Sequence, residues 1–249
     1  MIRSLFLAWR SGDATATRWG PVGRLDRLDD GYRFVYTRGA KTLEGFQPLP
    51  GMPHLDESYE SEDLFPLFAN RLLDSSRPEY RDSLKWSEFD PDDPPDPIAI
   101  LAVTEGKRAT DSFEVFPCPV RDDAGDYCTK FFLRGLRHKS EDVLERVSKL
   151  ARDDRLQIRL EDCNEVDPNA VAIVYNGCEI GFVPRYLALD IRELNEACDH
   201  MDLAVERINN DAPIQQRLLC RLRSCWPDDF SPCAKDEFQP LASPASRTT

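Results

Sequence analysis

Residues 164 to 185 read NEVDPNAVAIVYNGCEIGFVPR, and no other stretch limits the possible folds of this chain so strongly. Asn164, Asp167, Pro168 and Asn169 are turn formers, the Asx side chains being able to bond nearby backbone. Ala170 to Tyr175 is an apolar, β-rich run, Asn176-Gly177 is a short hairpin signal, and Glu179 to Val183 is the returning strand. Pro184 then ends the ladder by removing a donor. A hairpin needs none of the polar detail that precedes its first strand.

The surrounding residues extend this into a module. Cys128 to Leu133 is strand-like. Ser140 is placed to cap a helix over Glu141 to Ala151, on which Val143, Leu144, Val147 and Leu150 fall on one face. Arg152-Asp153-Asp154 reads as a turn and Leu156 to Leu160 as a half-buried strand. Pro184-Arg185 leads into a helix from about Tyr186 to Ala197, with Leu187, Ile191 and Leu194 inward. Leu203 to Ile208 and Leu218 to Leu222 are closing strands. Residues 227–249, rich in Pro and Ser, read as a flexible tail.

The pattern Asn-x-x-Asp-x-Asn-Ala, apolar run, Gly-x-x-Ile-Gly-x-Val-Pro-Arg resembles the HIRAN domain, over about residues 127–226. That resemblance implies a small β-barrel with two flanking helices and capture of the free 3′-hydroxyl end of single-stranded DNA. It assigns the pocket to Arg137-His138, to Val166-Asp167 and to Phe182. A guanidinium suits a backbone phosphate, a carboxylate suits a terminal hydroxyl, and aromatic faces stack on bases. Val166 stands where a stacking ring is expected, and each lost stack weakens binding by about 1–3 kcal/mol.

Each of these residues also has a purely architectural reading. Asp167 and Asn169 suit turn stabilisation as well as ligand contact, Phe182 suits the core, and Arg185 suits neutralisation of Asp190 as well as phosphate. Arg137 is the strongest candidate, because Leu-Arg-His-Lys at 136–139 makes a local basic spot.

The first half alternates strand-like runs with turns: Ile2 to Trp9, Trp19 to Leu25 and Tyr32 to Thr37, with a turn at Asp29-Asp30-Gly31. Ser61 is placed to cap a helix over Glu62 to Leu73, with Pro66 near its start. Arg77 to Trp86 and Ile98 to Val103 read as helices, Ser112 to Phe116 as a strand, and FDPDDPPDP at 89–97 as a linker. PVGRL at 21–25, YRFVY at 32–36, FQPLP at 46–50, LFPLFANRLL at 64–73 and DPIAILAVTEG at 96–106 are similar to the HipA N-terminal subdomain, over about residues 1–117. The kinase part of that family is absent. This likeness implies a small β-sheet with helices that contacts a protein partner.

Charge separates the halves. The chain carries net −13. Residues 1–127 hold 15 Lys/Arg against 24 Asp/Glu, a net of −9, whereas residues 128–226 hold 15 against 17, a net of −2. The first half is therefore a poor nucleic-acid surface, while the second is able to present a basic face. With 41% hydrophobic residues the chain has enough apolar surface for a packed core. The eight cysteines form no CxxC pair and there are three histidines, so zinc is disfavoured and reduced thiols in a cytoplasm are expected. No run approaches a membrane span, and the N-terminus carries no signal-peptide pattern. P-loop, GxGxxG, HExxH and GxSxG motifs are missing, which points to a binding protein with no cofactor rather than an enzyme.

The expectation is an α+β chain of three parts: a HipA-N-terminal-like module at 1–117, a HIRAN-like domain at 118–226, and a tail. It is expected to be a bacterial cytoplasmic protein that binds single-stranded DNA with a free 3′ end. The site residues are Arg137, His138, Asp167, Asn169 and Arg185, and the acidic N-terminal half contacts a protein. The alternative is an interaction module for a HipA-like kinase or a remodelling ATPase, without DNA binding.

Overall fold

A computed structural model of the protein describes residues 3–11, 18–108, 110–164 and 167–242. In chain order its elements begin with β1 (Ser4–Arg10), β2 (Trp19–Leu28), β3 (Gly31–Tyr36), α1 (Gly39–Thr42), β4 (Ser58–Ser61) and α2 (Pro66–Ala69). Then come α3 (Tyr80–Trp86), α4 (Pro97–Thr104), β5 (Phe113–Pro117), β6 (Tyr127–Phe132), α5 (Glu141–Ser148) and β7 (Gln157–Leu160). The series ends with β8 (Val171–Tyr175), β9 (Cys178–Phe182), α6 (Arg185–Ala197), β10 (Met201–Ile208) and β11 (Leu218–Ser224).

The chain divides into two compact units, and their borders differ from those expected. The first comprises Met1–Asp74, Asp96–Cys118 and Ser231–Thr249; the second comprises Ser75–Pro95 and Pro119–Phe230. Residues 75–95, expected in the N-terminal module, pack with the second unit, where Asn209 Nδ2 donates to the Trp86 carbonyl (3.0 Å). Residues 231–242, expected in a flexible tail, are instead seated on the first unit. Phe238 sits edge-on to Phe6 (centroids 5.1 Å apart) and the Leu241 amide donates to the Tyr36 carbonyl. Burying an aromatic side chain outweighs the Pro/Ser composition that suggested disorder.

The first unit is a five-stranded antiparallel sheet in the order β4-β3-β2-β1-β5. Pro21, which has no amide to donate, lies opposite Ala8 beside a register shift between Leu7 and Ala8. Leu5, Leu7, Val22, Leu25, Phe34 and Tyr36 bury one face together with Phe68, Ile98 and Leu101 from the helices. β1, β2, β3, β5, the turn before Gly31 and α4 lie close to where the sequence puts them, whereas β4 was not expected; Asp96 caps α4 through the Ile98 amide. The helix expected from Glu62 is reduced to one turn at Pro66. Ser61 is paired with Tyr32 in the sheet, so its backbone is committed to a ladder and does not cap a helix.

In the second unit the expected barrel is not a closed one. Two three-stranded antiparallel sheets form, β10-β11-β6 and β7-β8-β9. Among the described residues no ladder joins them; their edges are linked by isolated bridges, Arg134↔Phe182 and Arg155↔Ala204. Beside these bridges Gly135 (φ 85°) and Asp153 (φ 67°) take left-handed conformations, which turn the chain away before a ladder can propagate. Between the sheets lie Tyr127, Phe131, Val171, Ile173, Ile180, Val205, Cys220 and Leu222, closed off by Val147 and Leu150 near α5 and by Leu187, Ile191 and Leu194 of α6. Burial pushes the Cys220 thiol far up, so this cysteine is an inert core residue.

The β8–β9 hairpin forms as read. Asn176 (φ 50°) and Gly177 (φ 75°) make its turn, and Tyr175 pairs with Cys178. The second motif glycine has a different reason. A Cβ on Gly181 would lie 2.4 Å from the Arg134 carbonyl, so this glycine permits the close approach of β6 and β9. Pro184 is the N-cap of α6. Not all thiols are reduced, in contrast to expectation: Cys198 at the end of α6 and Cys225 after β11 form a disulfide.

Candidate functional site

Two small clusters form around the end of β9, and between them they contain all five candidate residues. The first grows from the Arg134–Phe182 bridge, a reciprocal pair of backbone bonds of 2.8 and 2.9 Å. Gly135 then turns the chain into a 3-10 turn over Leu136–His138, whose Leu136 is buried in the core. Anchored by that leucine, Arg137 and His138 are held exposed. Arg137 Nε donates to His138 Nε2 (2.9 Å), so the two side chains are held together on the turn.

Lys139 completes this cluster but not as a free cation. Its Nζ sits 5.1 Å from the centroid of the Phe182 ring and is paired with Glu179, which also takes Arg159. The basic spot at 136–139 is thus reduced to Arg137 and His138. Phe182, read from sequence as a core residue, is half-buried; its ring lies where a side chain on Gly135 would be, 3.2 Å from a built Cβ.

The second cluster is the loop before β8. The Asn164 side chain accepts from the Asp167 amide and Asp167 Oδ1 accepts from the Asn169 amide, each at 3.0 Å. These are the Asx turns that the sequence implied. Asp167 Oδ2 accepts from Arg185 Nε at 2.8 Å, with both side chains largely buried. The carboxylate therefore has the architectural role weighed for it, organising the turn, and in addition it fixes the Arg185 guanidinium. Asn169 contributes through its backbone, its carbonyl accepting from Arg192 Nε (3.0 Å). Val166 lies outside the described residues.

Arg192 was not among the expected residues. It also donates to the Ala170 carbonyl (3.2 Å) and to Asp162 (2.8 Å), so α6 staples the whole loop. The available signal was its spacing: Arg185 and Arg192 are seven residues apart, two helical turns, and so share a face. Among the described residues no group of His, Cys, Asp and Glu is arranged to hold a metal ion, and no helix is long and apolar enough to cross a membrane.

The path from Phe182 through Pro184 to Arg185 thus joins an exposed Arg-His pair to a fixed Arg-Asp pair, on a scaffold of two sheets and two helices. The HIRAN domain family model matches this part of the chain, at residues 126–223. Residues 126–223 are a HIRAN domain. Among solved structures, the chain is similar to a protein from Lactobacillus plantarum at 18% identity, over 40% of this chain and 97% of that one, with a TM-score of 0.32. It is also similar to the HIRAN domain of human HLTF at 16% identity, over 39% of this chain and 74% of that one, with a TM-score of 0.31. No curated protein matches the sequence.

Proposed function

We propose that the HIRAN domain of this protein binds nucleic acid and takes the 3′-hydroxyl end of single-stranded DNA at the end of β9. The observation that carries this reading is the position of Arg137 and His138. They are exposed on a rigid turn whose base is bonded to Phe182, three residues from the Arg185–Asp167 pair. An exposed guanidinium suits a terminal phosphodiester, the imidazole face suits the last base, and Asp167 is positioned by three hydrogen bonds before any ligand arrives. The half-buried Phe182 supplies the apolar floor.

The stretch 1–127 enters as a protein-contact module, an expectation resting on its net −9 and on the HipA-like sequence pattern of residues 1–117. In the alternative reading, regulation of a HipA-like kinase or a remodelling ATPase without DNA, the same domain is only a scaffold.

Fluorescence anisotropy at low salt with matched single strands ending in 3′-hydroxyl or 3′-phosphate tests the proposal. Preference for the hydroxyl by about tenfold, lost in Arg137→Ala, is expected. Equal affinity for both ends rejects end recognition, and a stoichiometric protein partner retained at high salt supports the alternative.

A further inference from the structure

The outer face of the β10-β11-β6 sheet carries a second cationic group, made of different residues. Lys130 on β6 is directly opposite Arg221 on β11, and Arg223 lies two residues along β11 on the same face. Glu206 sits at the register shift in β10, between Val205 and Arg207, and is 2% exposed. Its Oε1 accepts from Lys130 Nζ (2.6 Å) and from Arg152 Nη2 (3.0 Å), and its Oε2 accepts from Arg221 Nη1 (2.7 Å). One buried carboxylate thus gathers three cations. Burial raises its pKa, but Lys130 with the two arginines outweighs that and holds it below the usual glutamate value.

The remaining charges do not cancel the excess. Glu88 serves both Arg152 (3.4 Å) and Arg207 (3.1 Å), and Asp153 takes Arg221 (2.9 Å). Lys130, Arg152, Arg207, Arg221 and Arg223 are five cations against Glu88, Asp153 and Glu206, a local net of +2. Asp202, directly opposite Arg223 in the ladder, is paired with Arg155, so these two add no net charge. Apart from Glu88, these residues belong to the segment 128–226, whose own net is −2. Three like charges that each touch one carboxylate repel one another at short range, and an external anion relieves that repulsion. Arg152 (56% exposed), the exposed Arg223 and the partly exposed Lys130 and Arg207 reach solvent from a fixed base.

The geometry points to a phosphate-binding surface here: the Glu206-centred array grips the phosphodiester backbone of a nucleic acid, independently of its 3′ terminus. The two glutamate oxygens set the head-group positions, so cations that would otherwise move apart are presented together. Such contacts position a strand without reading its sequence. The inference goes beyond end recognition and does not require it, because a strand with a blocked end remains a ligand.

The test uses the full chain and a labelled oligothymidylate of about 20 nucleotides bearing a 3′-phosphate, titrated by anisotropy over a range of KCl concentrations. Arg152→Gln combined with Arg223→Gln removes two exposed cations. Affinity is expected to fall by about tenfold, and the slope of log K against log salt to become shallower by about 1.4, since each lost contact to a single strand removes about 0.7. Asp153→Asn, which removes an exposed anion competing for Arg221, is expected to tighten binding by about threefold. Affinity and slope within error of the parent in both variants overturn the proposal, as does absence of binding by the parent at low salt. The ratio of 3′-hydroxyl to 3′-phosphate affinity reports the end site separately: losing that ratio while the Arg152/Arg223 effect persists rejects end recognition alone.

Discussion

Each unit holds a buried carboxylate among cations on a sheet, and the two are built differently. In the first, Asp26 on β2 accepts from Ser4 Oγ (2.6 Å), Arg24 Nε (2.7 Å) and Arg33 Nη2 (3.0 Å). Two of these partners are its direct opposites in the ladder, Ser4 on β1 and Arg33 on β3. In the second, Glu206 draws Lys130, Arg152 and Arg221 from 76, 54 and 15 residues away. The first is a staple made by sheet register, with a hydroxyl in place of a third charge. The second is a long-range clasp with more cation than it can neutralise. The difference teaches that the same chemistry serves folding where partners are in register and leaves a surface charge where they are not.

Removing each carboxylate tests that contrast most strongly. Glu206→Ala strands three cations and is expected to destabilise the chain by about 3–5 kcal/mol. Asp26→Ala, which strands two cations rather than three and leaves a hydroxyl that water can satisfy, is expected to cost about half as much. Urea denaturation of both variants checks the ranking, and equal losses would erase the distinction. Because Glu206 is held below the usual glutamate value, its contribution is present above that value and is lost as acid takes the pH through its folded pKa. The urea midpoint of Glu206→Gln should therefore fall less steeply than the parent's on acidification.

A smaller effect separates the two motif glycines of the β8–β9 hairpin. Gly181→Ala drives a methyl group into the Arg134 carbonyl and is expected to cost about 2–3 kcal/mol, by loosening the β6–β9 seam. Gly177→Ala meets open space and only imposes a left-handed residue, at about 1 kcal/mol. Thermal melts of the pair measure it. Similar losses would mean that the seam yields and that the long-range contact is no stronger than the turn.

The smallest effect is expected at the candidate site itself. A double-mutant cycle between Asp167→Ala and Arg185→Ala should give a coupling of about 1 kcal/mol, since both side chains are mostly but not fully buried. A coupling near zero would place Arg185 with the surface charges rather than with the fixed pair.

Legibility followed the same division between local and distant. The loop at 164–169, the Asn176-Gly177 turn, the Pro184 stop and α6 were readable because each depends on neighbours a few residues away. Arg137 and Asp167 were readable as candidates through the HIRAN-like pattern. What the pattern did not reveal was Arg185 on Asp167, Arg192 on the loop carbonyls, or Lys139 withdrawn onto Glu179 and Phe182, since those pairings need β9 and α6 in place.

By itself the sequence determined where most strands, turns and helices begin, though not β4 or the short helix at Pro66, since propensity, glycine φ and proline's missing donor act within a turn or a strand. Tertiary structure alone decided that residues 75–95 join the second unit, that 231–242 lie on the first, and that Cys198 meets Cys225. It also decided that the two sheets meet at single bridges and that Glu206 collects its cations. Each of these depends on which surfaces bury one another across tens of residues, and a one-dimensional pattern of hydrophobic and charged residues does not carry that information.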